Sequence, residues 1–332
     1  MSEMTVLEIC AGGGGQSLGL ELAGFVHAGA VEIDADACLT LQRNRPQWNV
    51  IEGDIASVPG EDFTGVDLLA GGIPCPPFSI AGKQLGENDE RDLFPQVIRL
   101  AREMRPPAVM IENVRGLATS RFVAYRERLL KQLANLGYDC FWALLNASDF
   151  GVPQLRPRFL LVGLQPPFSR HFGWPEPLDS RRTVGDALAD LMGSKGWAGA
   201  EQWAFEADSI APTIVGGSKK HGGPDLGPTR ARKQWETLRV DGLGIADHAP
   251  PPGFPLNGMP RLTTRMVARL QGFPDDWCFA GGKTSAYRQV GNAFPPPVAK
   301  AVGESIRAAL EKGAAAEGNQ LTLQNLAPVS GG

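Results

Sequence analysis

Apolar runs alternate with helical patterns through the first half of the 332-residue chain. The runs predict buried strands, and apolar positions recurring every three or four residues predict helices. The predicted strands are 5–10, 26–33, 66–70, 108–112, 138–146 and 159–164, with a shorter one just before Asp54. The predicted helices are about 16–23, 35–43, 92–104 and 121–136. This alternation predicts an α/β fold with a doubly wound, mostly parallel sheet.

The pattern changes after about residue 166, where proline, glycine and basic residues become more frequent. The periodicity of apolar positions fades from about 194 to 260 and returns as a helical pattern over 263–271. The stretch 287–310 is predicted to open with a turn and to continue as an amphipathic helix. We expect one domain over 1–168 and 286–312, and a second, smaller, irregular domain over 169–285. The Ala/Gly/Asn/Gln-rich tail at 313–332 is expected to be disordered.

Composition narrows the class of protein. Five cysteines without a CxxC pair argue against a disulfide framework and a zinc site. We therefore expect the protein to lie in a reducing cytoplasm and to bind no metal. No apolar stretch approaches the roughly 18 residues of a membrane helix, and the N-terminus lacks a signal-peptide core. The net charge of −4 does not indicate nucleic-acid binding, but residues 216–240 carry six basic and two acidic side chains.

Cys75 stands out because it follows the predicted strand at 66–70 and has a proline on each side. The prolines exclude it from a regular strand or helix, so its thiol is presented and not packed. Glu112 ends another predicted strand. Because the carboxyl ends of parallel strands meet at one edge of a sheet, where ligands bind, these two residues predict a nucleophile paired with an acid.

A second group of residues indicates a nucleotide-like ligand. The glycine turn at 12–15 follows the first strand and lets the backbone approach a ligand, and Glu32, about 20 residues later, suits ribose hydroxyls. The turn does not match G-x-G-x-x-G, because Ser17 stands at the third glycine position, which disfavours a nicotinamide oxidoreductase. Arg156 and Arg158, two residues apart on an extended segment, share one face and suit phosphate or carbonyl groups.

Taken in order, these motifs resemble those of DNA cytosine-5 methyltransferases of the bacterial restriction-modification type. The resemblance runs from about residue 6 to about 303, with a gap at roughly 170–258, where that family varies. The matching segments are 8–15 (EICAGGGG), 32–34 (EID), 53–55 (GDI), 74–79 (PCPPFS), 91–94 (RDLF), 112–114 (ENV), 154–158 (QLRPR), 261–263 (RLT), 271–274 (QGFP) and 289–293 (QVGNA).

The resemblance implies that S-adenosylmethionine donates a methyl group to a cytosine flipped out of duplex DNA. It makes Cys75 the nucleophile that attacks cytosine C6, and Glu112 the group that holds the base and protonates or hydrogen-bonds N3. Arg158 would contact the base carbonyl or its phosphate, and Arg156 would brace the loop. The methyl group would then go to C5, after which the C5 proton and Cys75 leave.

The resemblance also implies binding residues. The predicted cofactor residues are Cys10, Gly12, Gly14, Glu32, Ile33, Asp54, Ile55, Pro74, Leu93 and Asn292. The region 169–285 would recognise the target sequence. The predicted DNA-binding residues are Ser79, Gln154, Lys219, Lys220, Arg230 and Arg232. We expect a monomer that acts on double-stranded DNA and does not bind a membrane. A cognate restriction endonuclease could act on the same DNA sequence without contacting this protein directly.

Two alternatives stay open at this point. An RNA cytosine-5 methyltransferase acting on tRNA would share the motifs at 74–79 and 112–114, although the long basic segment before Arg261 favours duplex DNA. A non-catalytic DNA-binding regulator is disfavoured by the intact Cys75, Glu112, Arg156 and Arg158.

Overall fold

The computed structural model describes residues 3–74, 92–179, 181–218 and 223–326, with side chains as far as residue 316. Within these ranges seven strands form one sheet. The strands are β1 Met4–Ile9, β2 Phe25–Glu32, β3 Val50–Glu52, β4 Leu68–Gly72, β5 Ala108–Val114, β6 Asp139–Asn146 and β7 Pro157–Leu164. Their order across the sheet is β3-β2-β1-β4-β5-β7-β6.

The predicted fold class is confirmed, with one antiparallel edge. The five strands from β3 to β5 are parallel to one another, whereas β7 runs antiparallel to both β5 and β6. The chain passes from β6 to β7 without a crossover α-helix. Because a parallel neighbour requires a long crossover connection, this short return produces an antiparallel pair.

Ten α-helices lie in the described ranges. They are α1 Gly15–Leu22, α2 Ala35–Asn44, α3 Phe94–Met104, α4 Val123–Ala134, α5 Val184–Gly193, α6 Ala200–Glu206, α7 Thr229–Thr237, α8 Thr264–Leu270, α9 Lys283–Asn292 and α10 Pro296–Leu326. The helices predicted in the first half are all present, with ends that differ by one or two residues. None of the helices in the described ranges is both long and apolar enough to cross a membrane.

Both faces of the sheet are covered by helices. Along β1 the side chains alternate, so that Val6 packs in a cluster with α1 and α10 while Leu7 packs in a cluster with α3. Helix α10 approaches α1 closely at Gly19, where an added Cβ would lie 2.4 Å from the Cβ of Ala299. The two clusters together make the doubly wound core that a mostly parallel sheet requires.

The second half of the chain packs around a third cluster of helices. Trp203 of α6, Trp235 of α7 and Val267 of α8 are buried there, together with Leu41 of α2. In the described part of this region, the only strand-like pairings are the isolated bridges Gln154↔Ala211 and Ala246↔Thr263. Periodicity fades in the sequence because short helices and loops, not long regular elements, build this core. The domain boundaries stay a prediction.

Two sequence expectations near the C-terminus are corrected. Tyr287 lies inside α9 and not in a turn, and the break falls at 293–295, just before Pro296 opens α10. Proline is favoured in the first turn of a helix because its missing N–H has no partner there. The tail expected to be disordered from 313 is helical as far as Leu326, and its alanine-rich start has high helix propensity.

Candidate active site

The predicted site residues converge on one edge of the sheet. The register pairs Ile9 with Gly71 and Gly72 with Glu112, so β1, β4 and β5 end side by side. The glycine turn leaves β1, and Glu32 ends β2 next to it. Residues 73–74 leave β4 toward Cys75, which lies outside the described residues. The ends of β1, β2, β4 and β5, where the described parts of these motifs lie, therefore share one edge of the sheet.

Gly12 and Gly14 both have left-handed backbones, with φ of 56° and 87°. An added Cβ at Gly12 would meet nothing within 4 Å among the described atoms, whereas one at Gly14 would lie 2.6 Å from the ring of Trp277. The space beside Gly12 is open and the space beside Gly14 is filled. The turn therefore offers its backbone to a ligand on the Gly12 side. Cys10, just before the turn, is partly buried and also has a positive φ.

Glu32 ties the glycine turn to the end of β2. One carboxylate oxygen accepts a hydrogen bond from the backbone N–H of Gly12 at 2.7 Å, and the other accepts from Ile33 and Asp34 at 2.9 and 2.8 Å. Ile33 beside it is 68% exposed, so an apolar side chain next to the acid is accessible. An acid with an adjacent exposed apolar side chain is the pair expected to hold a ribose and an aromatic ring.

Four other predicted cofactor residues flank this pair. Asp54 accepts a hydrogen bond from the N–H of Ala56 at 2.8 Å, which fixes the turn after β3. Ile55 is buried, Leu93 packs partly buried in the same cluster, and Pro74 is exposed. Asp54 and Ile55 follow the end of β3 and Pro74 follows the end of β4, whereas Leu93 precedes α3. The contacts of all four to a ligand stay predictions.

Asn292 has a protein partner. It ends α9, and its side-chain amide donates to the carbonyl of Gly217 at 3.2 Å. An added Cβ at Gly291 would lie 2.5 Å from the backbone of Gly216. Asn292 therefore joins the end of α9 to the segment 211–218, and the role in closing the cofactor site stays a prediction.

Glu112 and Arg158 form a largely buried ion pair. Nε of Arg158 on β7 lies 2.8 Å from Oε1 of Glu112, and the two side chains are 12% and 11% exposed. Burial raises the pKa of the Glu112 carboxyl, and the positive charges of Arg158 and Arg156 partly offset this effect. A carboxyl with a raised pKa, held in place by an arginine, can exchange a proton with a bound base.

Asn113 lies at the site, although the sequence assigns it no role beyond its place in the segment 112–114. Its side-chain amide donates to the carbonyl of Ile73 at 3.1 Å, and the N–H of Ile73 donates to the carbonyl of Glu112. These bonds fix the backbone that leads toward Cys75. The only sequence signal for this role was its position directly after Glu112 at a strand end.

Arg156 is buried and spans three chain segments. Its guanidinium donates to the carbonyls of Ile214 at 2.7 Å and of Gly291 and Ala293 at 2.8 Å each. Burial and the nearby charge of Arg158 lower its pKa. Arg156 therefore positions the segments around the site, and within the described residues it is closed off from the surface.

Gln154 corrects a predicted DNA contact. It is fully buried, its amide nitrogen donates to Oε1 of Gln271 at 2.7 Å, and its carbonyl oxygen accepts from the N–H of Ile214 at 2.8 Å. Both ends of the side chain are used inside the protein. Gln154 therefore supports the fold near the site and does not face DNA.

The remaining predicted DNA-binding residues divide into two groups. Ser79, Lys219 and Lys220 lie outside the described residues, as does Cys75. Arg230 is exposed on α7. Arg232 is partly buried, with its stem packed beside Gly242. Helix α7 is anchored by the buried Trp235, so its exposed side presents Arg230 to solvent. In the described ranges, no group of three or more His, Cys, Asp or Glu residues is placed to hold a metal.

Comparison with known proteins places these features in a family. The model of the C-5 cytosine-specific DNA methylase family matches residues 4–308. The type II methyltransferase M.NaeI of Lentzea aerocolonigenes is 58% identical over 314 residues, covering 93% of this chain and 76% of the relative. M.NgoMIV of Neisseria gonorrhoeae is 54% identical over 313 residues, covering 93% and 99%.

Solved structures share the fold at low sequence identity. The Entamoeba histolytica methyltransferase EhMeth superposes with a TM-score of 0.66 at 16% identity, covering 93% of this chain and 99% of that one. Dnmt2 of S. pombe gives a TM-score of 0.61 at 20% identity, with the same coverage. At these identities the likeness supports the fold alone.

Proposed function

Because this chain belongs to the C-5 cytosine-specific DNA methylase family and is a DNA (cytosine-5-)-methyltransferase, we propose that it methylates C5 of a flipped-out cytosine in one short sequence of duplex DNA. One observation carries the mechanism: the buried Glu112–Arg158 pair lies at the strand end next to the one that leads to Cys75. The glycine turn follows β1 at the same edge, so the methyl donor and the target cytosine would meet there.

The described residues fit S-adenosylmethionine. The open side of Gly12 would face the methionine portion, and Ile33, Ile55 and Leu93 would pack against the rings. Asp54 would accept from the adenine amine, and Asn292 would close the site. A carboxylate offers about four lone-pair sites, and Glu32 already accepts three backbone N–H groups. It has room for about one ribose hydroxyl. When bound, S-adenosylmethionine supplies an electrophilic methyl group.

The chemistry is covalent catalysis by Cys75. Its thiolate bonds to cytosine C6, which pushes electron density toward N3 and C5 while Glu112 protonates or hydrogen-bonds N3. C5, now an enamine carbon, would form a bond to the methyl group as the bond between that group and the donor sulfur breaks, which leaves S-adenosylhomocysteine. A base removes the C5 proton, and the C6–S bond breaks to restore the aromatic ring and the thiolate. Base flipping is required because C6 and C5 are out of reach within a stacked duplex.

Arg158 orients the acid. Its ion pair with Glu112 leaves Oε2 of that carboxyl facing Gly72, where an added Cβ would lie 3.4 Å away. An added Cβ at that distance would make ordinary van der Waals contact with the carboxyl, so Gly72 adjoins the acid at the strand end.

The test of the reaction is bisulfite sequencing of a sequence-diverse DNA library after incubation with the protein and S-adenosylmethionine. We expect protected cytosines in one short context. M.NaeI, assayed in parallel, should protect the same context, because the two chains are 58% identical over 314 residues, which is 93% of this chain. Protection in two different contexts would refute a shared recognition sequence. Protection nowhere, with methyl transfer to tRNA instead, would refute duplex DNA as the substrate.

The basic segment 216–240 is proposed to contact phosphates, and a double variant tests this. Lys219→Ala with Lys220→Ala should weaken DNA binding and lower the slope of log Kd against log salt by roughly two, since each phosphate contact contributes about 0.9. Fluorescence anisotropy over a salt series measures both quantities. The control is Lys131→Ala with Lys312→Ala, two exposed lysines outside 169–285. An unchanged slope in the first pair would contradict the assignment.

A further inference from the structure

Residues 277–289, which connect α8 to α9 and continue into α9, are fastened to α2; we call this segment the clasp. The side chain of Asn44 exchanges two hydrogen bonds with the backbone of Cys278, each 2.8 Å long. The hydroxyl of Thr40 accepts from the N–H of Ala280 at 2.8 Å and donates to Oε1 of Gln289 at 2.6 Å. These contacts join parts of the chain more than 230 residues apart.

Trp277, at the start of the clasp, reaches the glycine turn. Its indole Nε1 donates to the carbonyl of Gly13 at 3.0 Å, and its ring fills the space beside Gly14. The side chain is only 6% exposed. Phe279 and Gln289 of the clasp lie beside Gly13, each with an atom 3.1 Å from where its Cβ would be. The clasp therefore packs against Gly13 and Gly14, whereas the space beside Gly12 is open.

The indole is itself held by an arginine. The guanidinium of Arg45 lies 5.2 Å from the ring centroid of Trp277 and 5.9 Å from that of Trp48. Nε of Arg45 is 2.8 Å from both carboxylate oxygens of Glu21 on α1. Cation–π contact and this ion pair limit the orientations available to the indole.

We propose that Trp277 is a positioning residue for the methyl-donor site, acting through the carbonyl of Gly13. This inference rests on the proposed function, in which S-adenosylmethionine binds at the glycine turn. Four consecutive glycines, 12–15, give the free turn many backbone conformations, and ordering them on binding costs affinity. Fixing the peptide between Gly13 and Gly14 in advance removes part of that cost.

The test is Trp277→Phe, which keeps an aromatic ring and removes the N–H donor. Calorimetric titration with S-adenosylmethionine should show a Kd raised roughly fivefold to tenfold, the size of one net hydrogen bond. Hydrogen exchange of the amides at 12–15 should be faster in the protein without ligand, while the Kd for DNA stays unchanged. The exchange measurement does not depend on catalysis.

Trp197→Phe is a matched control. Trp197 is also buried, at 3% exposure, and among the described residues its Nε1 has no hydrogen-bond partner. Its replacement should alter neither the Kd for S-adenosylmethionine nor exchange in the glycine turn. A second variant, Asn44→Ala, loosens the clasp at Cys278 and leaves Trp277 in place, so it should shift both readouts in the same direction by a smaller factor.

The outcomes separate this inference from the proposed function. Failure of the wild-type protein to bind S-adenosylmethionine would overturn the proposed function and this inference with it. Binding by the wild type together with an unchanged Kd and unchanged exchange in Trp277→Phe would overturn the positioning role alone. Faster exchange throughout the protein would also overturn it, because it would show a general loss of stability. Faster exchange confined to the turn, with a raised Kd, supports it.

Discussion

Cys75→Ala is expected to abolish methyl transfer while S-adenosylmethionine and DNA still bind. Cytosine C5 is a poor nucleophile until C6 carries a substituent, and alanine cannot supply one. Removal of a catalytic nucleophile lowers turnover by roughly four orders of magnitude or more. The measurement is transfer of a labelled methyl group to DNA carrying the recognition sequence found by bisulfite sequencing.

A trapping experiment identifies the bond that Cys75 forms. DNA with 5-fluorocytosine at the target has no C5 proton to lose, so the adduct between the thiolate and C6 persists after methyl transfer. The wild-type protein should give a complex that survives denaturation, and Cys75→Ala should not. Cys278→Ala is the control, because Cys278 is an exposed thiol and its loss leaves the proposed nucleophile in place. Near-normal turnover by Cys75→Ala would exclude Cys75 as the nucleophile.

Glu112→Gln is expected to lower kcat by roughly a hundredfold to ten-thousandfold, the usual range for a general acid or base. Glutamine has a similar shape and can donate a hydrogen bond to N3, but it cannot transfer a proton. The change also removes the ion pair with Arg158. The Kd for S-adenosylmethionine should change little, since Glu112 lies on β5 and the glycine turn follows β1.

The pH dependence of Glu112→Gln gives an independent check. Burial raises the pKa of Glu112, so the protonated form persists above the usual range for a glutamic acid. Wild-type kcat should be high while that form is populated and should fall as pH rises through the raised pKa. This falling limb should be absent in Glu112→Gln. Glu304→Gln, a change in an exposed ion pair on α10, serves as the control. If kcat of Glu112→Gln still falls as pH rises, that fall is caused by the titration of another group.

The alternation of apolar runs with helical patterns determined most of the first half of the fold. β1, β2, β4 and β5 all lie where the sequence predicts them, because a buried parallel strand must be apolar on both faces and is bounded by polar residues. The antiparallel direction of β7 was not predicted, since strand direction depends on the connection that precedes it and not on the pattern of the strand.

The clasp shows why the second half was harder to predict. The structure packs Cys278 and Ala280 against α2, a contact between the two predicted domains that the sequence did not indicate. Their partners, Asn44 and Thr40, are polar residues on a helix, and such residues usually face solvent. Periodicity describes one element at a time, so it carries no signal for hydrogen bonds between segments more than 230 residues apart.

Gln154, Arg156 and Arg158 show which features of the site the sequence predicts and which depend on the tertiary structure. The sequence alone predicted that Arg156 and Arg158 occupy one face of an extended segment, because side chains alternate along a strand. Only the tertiary structure decided that Arg158 pairs with Glu112, while Ile214 and Gly291 close over Arg156 and Gln154. Which polar side chain meets a ligand and which meets the protein depends on the segments that cover it, and those segments come from distant parts of the chain.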